Sequence, residues 1–264
     1  MHYRYDMEVD FYKYQGTGND FIMIDNRKGY FPKDNVDLVK FLCDRKFGIG
    51  ADGLILLEDS SEVDFEMVYY NSDGNPSSMC GNGGRCLVAF ANFLGVIQDS
   101  CTFTAVDGLH QAKIKDSIVS LAMTAVEKID NFGTHSFLNT GSPHHVQLVN
   151  QLKDLDVKVE GAKLRYGKYG NSGSNINFVQ PIEGNAFFVR TYERGVEDET
   201  LSCGTGVTAV ALAMHDKGMI DAEEVQLKTP GGDLKVSFIK SDSGYHSIFL
   251  VGPATQVFKG TITV

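Results

Sequence analysis

The chain has 264 residues, of which 42% are hydrophobic and 22% charged, with a net charge of −10. These values describe an ordinary globular protein, long enough for one large domain or two modest ones. The acidic balance argues against a nucleic-acid or anionic-membrane surface. Five cysteines without a disulfide framework, no apolar run of membrane-spanning length, and a polar stretch from Met1 to Asp20 lacking an apolar signal core together predict a cytoplasmic protein.

Taken in chain order, short β-branched, aromatic and aliphatic runs bounded by turn residues predict strands. They are Phe21 to Ile24, Leu54 to Leu57, Phe65 to Tyr70, Ile118 to Met123, Val146 to Val149, Phe187 to Tyr192, Leu234 to Ile239 and Ser247 to Val251. A helix is expected from Asn35 to Lys46, after Pro32 and before Gly48. Two more are expected over Arg85 to Leu94 and Val207 to Lys217, closing at Gly95 and Gly218 as left-handed C-terminal caps. Both are apolar on most faces, which marks buried helices. Many strands and few helices indicate an α/β protein of the α+β type, with mixed or antiparallel sheets.

One cysteine motif occurs twice. Cys80-Gly81-Asn82-Gly83 recurs as Cys203-Gly204-Thr205-Gly206, an offset of 123 that also carries Thr17-Gly18 onto Thr140-Gly141 and Gly95 onto Gly218. Such self-similarity predicts a duplicated unit. The expected architecture is two pseudosymmetric domains, each a mixed or antiparallel sheet wrapped around a central buried helix. Residues 1–132 would carry Cys80 and residues 133–264 Cys203, with the last strand able to pack back on the first domain.

Each of these cysteines directly precedes a glycine-rich helix start, where unpaired N–H groups favour thiolate and attract carboxylate. A lone cysteine there is as readily an inert core residue; two at matched positions of a repeat point to paired thiols acting on opposite faces of one carbon. Zinc-ligand spacing is absent around both, and Gly81-Asn82-Gly83-Gly84 lacks the ending of a phosphate loop. Cys43, Cys86 and Cys101 are assigned to packing. At the offset of 123, Tyr70-Asn71 falls on Glu193-Arg194, so Asn71, Glu193 and Arg194 would make the site directional. Arg194 suits a carboxylate and Glu193 an ammonium, against the alternative of a solvated charge pair. Asn19 and Ser142 occupy equivalent turn positions suited to a polar ligand. His144 is either a tuner of a nearby thiol or a satisfied core histidine. A redox dithiol and a binding-only protein remain open alternatives.

Gly16-Thr17-Gly18-Asn19-Asp20-Phe21, Asn71-Ser72-Asp73-Gly74, Cys80-Gly81-Asn82-Gly83-Gly84-Arg85-Cys86, Tyr192-Glu193-Arg194-Gly195 and Cys203-Gly204-Thr205-Gly206 resemble the diaminopimelate epimerase family in the family's order. The resemblance runs from Phe11 to the C-terminus, leaving Met1 to Asp10 as an extension. It implies a cofactor-independent epimerase interconverting LL- and meso-diaminopimelate in lysine and peptidoglycan-precursor synthesis, with two domains flanking a cleft and frequently a homodimer. It implies that Cys80 and Cys203 are the acid/base pair, with Cys203 the acceptor and Cys80 the donor from LL to meso. Gly81, Asn82, Gly204 and Thr205 would hold the carboxylate of the reacting centre. Asn19, Asn71, Asn175, Glu193 and Arg194 would line the rest of the substrate site, and His144 and Glu193 would influence the cysteine pKa values. Two positions depart from the pattern. Gly53 stands where the family usually has a substrate-contacting glutamine, and Ser142 where it usually has an asparagine. The related proline racemases make a different amino-acid substrate the runner-up.

Overall fold

Runs buried on both faces become the inner strands, and the computed structural model, which describes residues 7–264, is accordingly strand-rich. The first six residues of the polar N-terminal stretch lie outside the described residues. Two units result: residues up to Leu121 together with Pro253–Val264, and Ala122–Gly252. The division thus falls before residue 122 rather than between residues 132 and 133. The cause is local: Asp130–Asn131 forms a hairpin with Ser136–Asn139, and Val126 bridges to Tyr245, both inside the second unit.

The first unit contains β1 (Glu8–Gly16), β2 (Asn19–Asp25), α1 (Val36–Cys43), β3 (Gly53–Glu58), β4 (Phe65–Asn71), α2 (Gly81–Phe93), β5 (Ser100–Ala105), β6 (Gly108–Lys115) and β7 (Ile118–Met123), which runs to the boundary. β1 begins within the N-terminal extension and buries Val9. Its neighbours are β2 and the C-terminal strand Thr255–Thr263, both antiparallel. From β2 onward the sheet runs parallel to β3, antiparallel to β4, parallel to β5, then antiparallel through β6 and β7.

The second unit contains β8 (Asp130–Asn131), β9 (Ser136–Asn139), β10 (Pro143–Leu148), α3 (Val157–Gly167), β11 (Asn175–Pro181), β12 (Ala186–Glu193), β13 (Asp198–Thr200), α4 (Gly204–Asp216), β14 (Glu224–Thr229), β15 (Gly232–Ser241) and β16 (Gly244–Pro253). Its pairing order from β10 repeats the first unit: parallel to β11, antiparallel to β12, parallel to β14, then antiparallel through β15 and β16. The duplication is therefore one of topology as well as of motif. Its offset changes along the chain, however. α2 and α4 match at 123, whereas Ile55 opposite Tyr69 corresponds to Asn177 opposite Thr191, an offset of 122. Asn71 consequently corresponds to Glu193, not to Arg194.

α2 and α4 start at Gly81 and Gly204, earlier than the apolar runs alone indicate. Glycine disfavours a helix interior, but here close packing overrides propensity. A Cβ on Gly83 would stand 2.9 Å from Ile55 Cδ1, and one on Gly206 2.5 Å from Asn177 Oδ1. Both helices are almost wholly buried. α4 packs Val207, Val210 and Met214 into a core with Val146, Val189, Leu227 and Val236. In the first unit Leu38, Val39 and Leu42 of α1 cover Ile22, Ile24, Leu54 and Leu56 of β2 and β3.

α1 begins at the capping side chain of Asn35, which accepts from the Leu38 N–H at 3.0 Å. It ends at Cys43, short of Lys46, because Asp44 turns extended and its carboxylate takes the N–H groups of Lys46 and Phe47. α3 had no sequence signal beyond its cap Asp156, since only Val157 and Gly161 of it are buried. Among the strands without a predicted run, β1, β5, β6, β8, β9, β13 and β14 are mostly polar-alternating or half exposed. Among the described residues no helix is long and apolar enough to cross a membrane.

Both buried helices end in the same way. Gly95 and Gly218 take φ of +72° and +67°. Val96 N–H bonds Ala91 and Met219 N–H bonds Met214, which is the Schellman arrangement. Nothing lies within 4 Å of a Cβ at Gly218. Gly218→Ala therefore pays only the left-handed backbone cost, and urea unfolding should show a loss of about 1 kcal/mol.

Candidate active site

In the first unit Cys80 occupies the N-cap position of α2, in extended conformation (φ −102°, ψ 130°), and makes no side-chain capping bond. Its carbonyl opens the helix by accepting from Gly84 N–H at 2.7 Å. Cys80 Sγ lies 3.6 Å from Asn19 Oδ1. Asn19 sits just past a two-residue turn in which Thr17 and Gly18 both have positive φ, the signature of a type I′ hairpin. Its amide is oriented in turn: Asn19 Nδ2 donates to Asp52 Oδ2. Asp52 pairs with Arg45, Arg45 with Asp20, and Asp20 with Lys13. Burial opposes the charge on Asp20, but hydrogen bonds from Arg45 and Lys13 prevail and hold its carboxyl well below the usual range. This ionic chain fixes the loop that faces the thiol.

Cys203 is the N-cap of α4 in the same conformation (φ −119°, ψ 113°), is nearly buried, and lies 3.5 Å from Thr205 Oγ1. In the same unit the sequence-predicted residues are tied to one another and to their neighbours. Asn175 Nδ2 donates to Ser142 Oγ at 2.9 Å, and Asn175 Oδ1 accepts the Arg194 N–H at 2.8 Å. Glu193 Oε2 accepts from Thr200 Oγ1 at 3.0 Å. Arg194 Nη1 donates to the Ser172 carbonyl. His144 is wholly buried, with Asn177 Nδ2 3.1 Å from Nδ1 and Asn175 Nδ2 3.5 Å from Nε2. Burial, reinforced by the Arg194 charge, pushes its pKa down to about 3. His144 is thus a neutral dipole at any physiological pH, not a cation.

Asn71 ends β4, exposed and opposite Gly53. Gly53 itself pairs with Phe21 as Asn175 pairs with His144, so the two strand positions are equivalent. The space that a side chain at 53 would fill is taken: a Cβ there would stand 2.5 Å from Tyr69 Cε2 and 3.2 Å from Tyr69 Oη. Sequence reasoning singled out neither Tyr69 nor three further participants, Asp52, Asn177 and Thr191. Thr191 Oγ1 holds Asn177 Oδ1 at 3.0 Å, and Asn177 Nδ2 also reaches the His145 carbonyl. Only Asn177 had a sequence signal, the polar period of two in Asn175-Ile176-Asn177, which puts both amides on one face of β11. None of the five cysteines is joined in a disulfide. Burial pushes those of Cys43, Cys86 and Cys101 up to about 12, which leaves Cys80 and Cys203 as the thiols at helix starts. Among the described residues no group of three or more His, Cys, Asp or Glu is placed to hold a metal ion.

Twin thiols stand at the glycine-rich starts of the two buried helices, and solved structures of low sequence identity share the fold that carries them. A PhzF-family phenazine biosynthesis protein from Bacillus anthracis superposes with a TM-score of 0.79 at 12% identity, over 98% of this chain and 100% of its own. A hydroxyproline epimerase from Agrobacterium vitis does so at 0.70 and 13%, over 99% and 94%. The sequence profile of diaminopimelate epimerase matches residues 11–129 and 136–257. The diaminopimelate epimerase of Flavobacterium psychrophilum is 59% identical over 95% of this chain and 99% of the relative, and that of Aquifex aeolicus 35% identical over 97% and 98%. The chain belongs to the diaminopimelate epimerase family and is an epimerase.

Two outcomes test the local geometry. Gly53→Ala must displace the Tyr69 ring and is expected to cost about 1–3 kcal/mol in urea unfolding. His144 has a folded pKa below its unfolded value of about 6.5, so it leaves stability untouched above that pH. It destabilises progressively as the pH falls from 6.5 toward about 3. Unfolding free energies measured between pH 7 and 4.5 should lose up to about 1.4 kcal/mol per pH unit of acid slope in His144→Gln.

Proposed function

We propose that this family member interconverts LL- and meso-2,6-diaminopimelate by two-base proton transfer at Cα. One thiolate removes the α-proton and becomes a thiol; the other thiol returns a proton from the opposite face and becomes a thiolate. From LL to meso, Cys203 is the acceptor and Cys80 the donor. The single observation that carries the reading is the identical placement of Cys80 and Cys203 as N-caps of two buried helices with glycine first residues.

The chemistry follows from that placement. Without a delocalising cofactor, the negative charge that develops on removal of the α-proton must be met by the protein itself. The N–H groups of Gly81-Asn82 and Gly204-Thr205 are the donors assigned to the substrate carboxylate, where the helix dipoles favour anionic charge. Asn19, Asn71, Asn175, Glu193 and Arg194 line the rest of the substrate site, several of them reading the distal amino-acid end, with the Glu193 carboxylate facing an ammonium and Arg194 a carboxylate. Gly53 leaves room for the Tyr69 ring, and Ser142 acts by orienting Asn175. His144 influences Cys203 as a neutral dipole. The enzyme is read as a cytoplasmic homodimer of lysine and peptidoglycan-precursor synthesis, acting on a small molecule.

Proton NMR of LL-diaminopimelate with reduced protein in D2O tests the reading. The α-proton signal should vanish while the meso isomer appears, and Cys80→Ala and Cys203→Ala should each lower epimerisation by at least about 10³-fold. Retained turnover in either variant rejects the two-base scheme. Exchange with 4-hydroxyproline but not with diaminopimelate would transfer the assignment to the proline-type substrates.

A further inference from the structure

One charge in the first unit has no counter-charge in the described structure. Arg85, in α2, is 0% exposed, and a guanidinium stays protonated at any working pH. Its Nη1 donates to the Gly81 carbonyl and its Nη2 to the Thr17 hydroxyl, both at 3.3 Å. Both acceptors are neutral, and Nε has none. A buried charge without an opposite charge is among the most costly arrangements in a protein. β1 seals it from water: a Cβ on Gly16 would stand 3.4 Å from Nη2 and 3.2 Å from Cys86 Sγ.

The other charged groups on the strands packed against α2 are committed or remote. Lys13 and Asp20 pair with each other, and Asp20 with Arg45; Asp25 pairs with Arg27, Glu58 with Lys33, and His110 with Asp107. Tyr14 bonds Gln256, and burial raises its pKa; Tyr12 lies against Phe90. Glu8, Asp10, Glu66, Lys113, Lys115 and Lys259 are exposed. The ionisable groups that act on Arg85 are the thiols of Cys86 and Cys80. Cys86 is wholly buried and stays protonated. Cys80, which immediately precedes the Gly81 carbonyl that Arg85 grips, is only partly buried.

We propose that Arg85 is a positioning residue for Cys80: its buried charge is the fixed counter-ion of the Cys80 thiolate and makes Cys80 the ionised thiol of the resting protein. The inference rests on the reading of Cys80 as a working acid/base. At the matching position of the second unit stands Thr208, whose hydroxyl donates to the Gly204 carbonyl at 2.9 Å, as Arg85 does to Gly81. The duplication keeps the hydrogen bond and puts a cation in one copy only.

The test is the pH dependence of iodoacetamide alkylation at Cys80, read by peptide mass spectrometry on full-length, substrate-free protein. In Arg85→Met the alkylation midpoint should rise by about one pH unit, a roughly tenfold slower reaction at a pH below it. Arg85→Gln retains an amide donor for Thr17 without the charge and should titrate like Arg85→Met; it also carries the test should Arg85→Met not fold. A wild-type midpoint in either folded variant overturns the proposal and leaves Arg85 as a tie between helix and turn. Because no substrate is present, a failure of the diaminopimelate reading in D2O leaves this measurement intact. An active enzyme whose Cys80 midpoint ignores Arg85 removes only the present inference.

Discussion

The site depends on how closely the first turn of each buried helix lies on its own sheet. Glycine lets Gly83 and Gly206 lie this close, because a methyl group there would crowd Ile55 or the Asn177 amide. That contact overrides the poor helix propensity of Gly81-Asn82-Gly83-Gly84 and Gly204-Thr205-Gly206, and so fixes where each helix begins. The N-cap then falls on a cysteine, a residue that makes no capping bond at either helix. A serine or aspartate there would offer an oxygen to the first-turn N–H groups. A thiol leaves that end of the helix dipole available to an anion and, in the proposed reaction, is at the same time the reactive group.

On this repeated frame the two units carry opposite interiors. Beneath Gly83 the floor is apolar, made of Ile55 and Phe21, with Tyr69 set edge-on to Phe21. At the equivalent positions of the second unit stand Asn177, His144 and Thr191, a polar network in which each amide is oriented by a neighbour. Gly53 and Asn175 likewise occupy matching strand positions, one without a side chain and the other hydrogen-bonded to Ser142 and to the Arg194 backbone. Common elements suit a reaction that runs both ways through equivalent groups. The differing floors give the two thiols different surroundings, which an enzyme needs if its substrate has two distinguishable ends.

The same fold houses proteins with unlike reactions, as the PhzF-family and hydroxyproline epimerase structures at 12% and 13% identity make plain. Fold alone therefore says little about substrate. In the proposed function, substrate is read by side chains on strand ends and turns: Asn19 held by Asp52, Asn71 at the end of β4, Glu193 at the end of β12 and Arg194 just after it. Those residues sit on rigid elements, which is how a polar ligand is gripped in one orientation.

The sequence by itself determined the duplication, the two buried helices with their glycine ends, the inner strands and the two motif cysteines, because each is written in contiguous residues with a local physical signature. Strands with polar or half-exposed faces, and α3 with its two buried residues, left no such trace. The tertiary structure alone decided that the repeat offset slips to 122 between the paired strands, which matches Asn71 to Glu193. It alone turned His144 into a buried neutral group, filled the Gly53 site with Tyr69, and enclosed Arg85 without a carboxylate. Burial and charge balance are sums over neighbours brought in from distant parts of the chain, and no local run of residues encodes them.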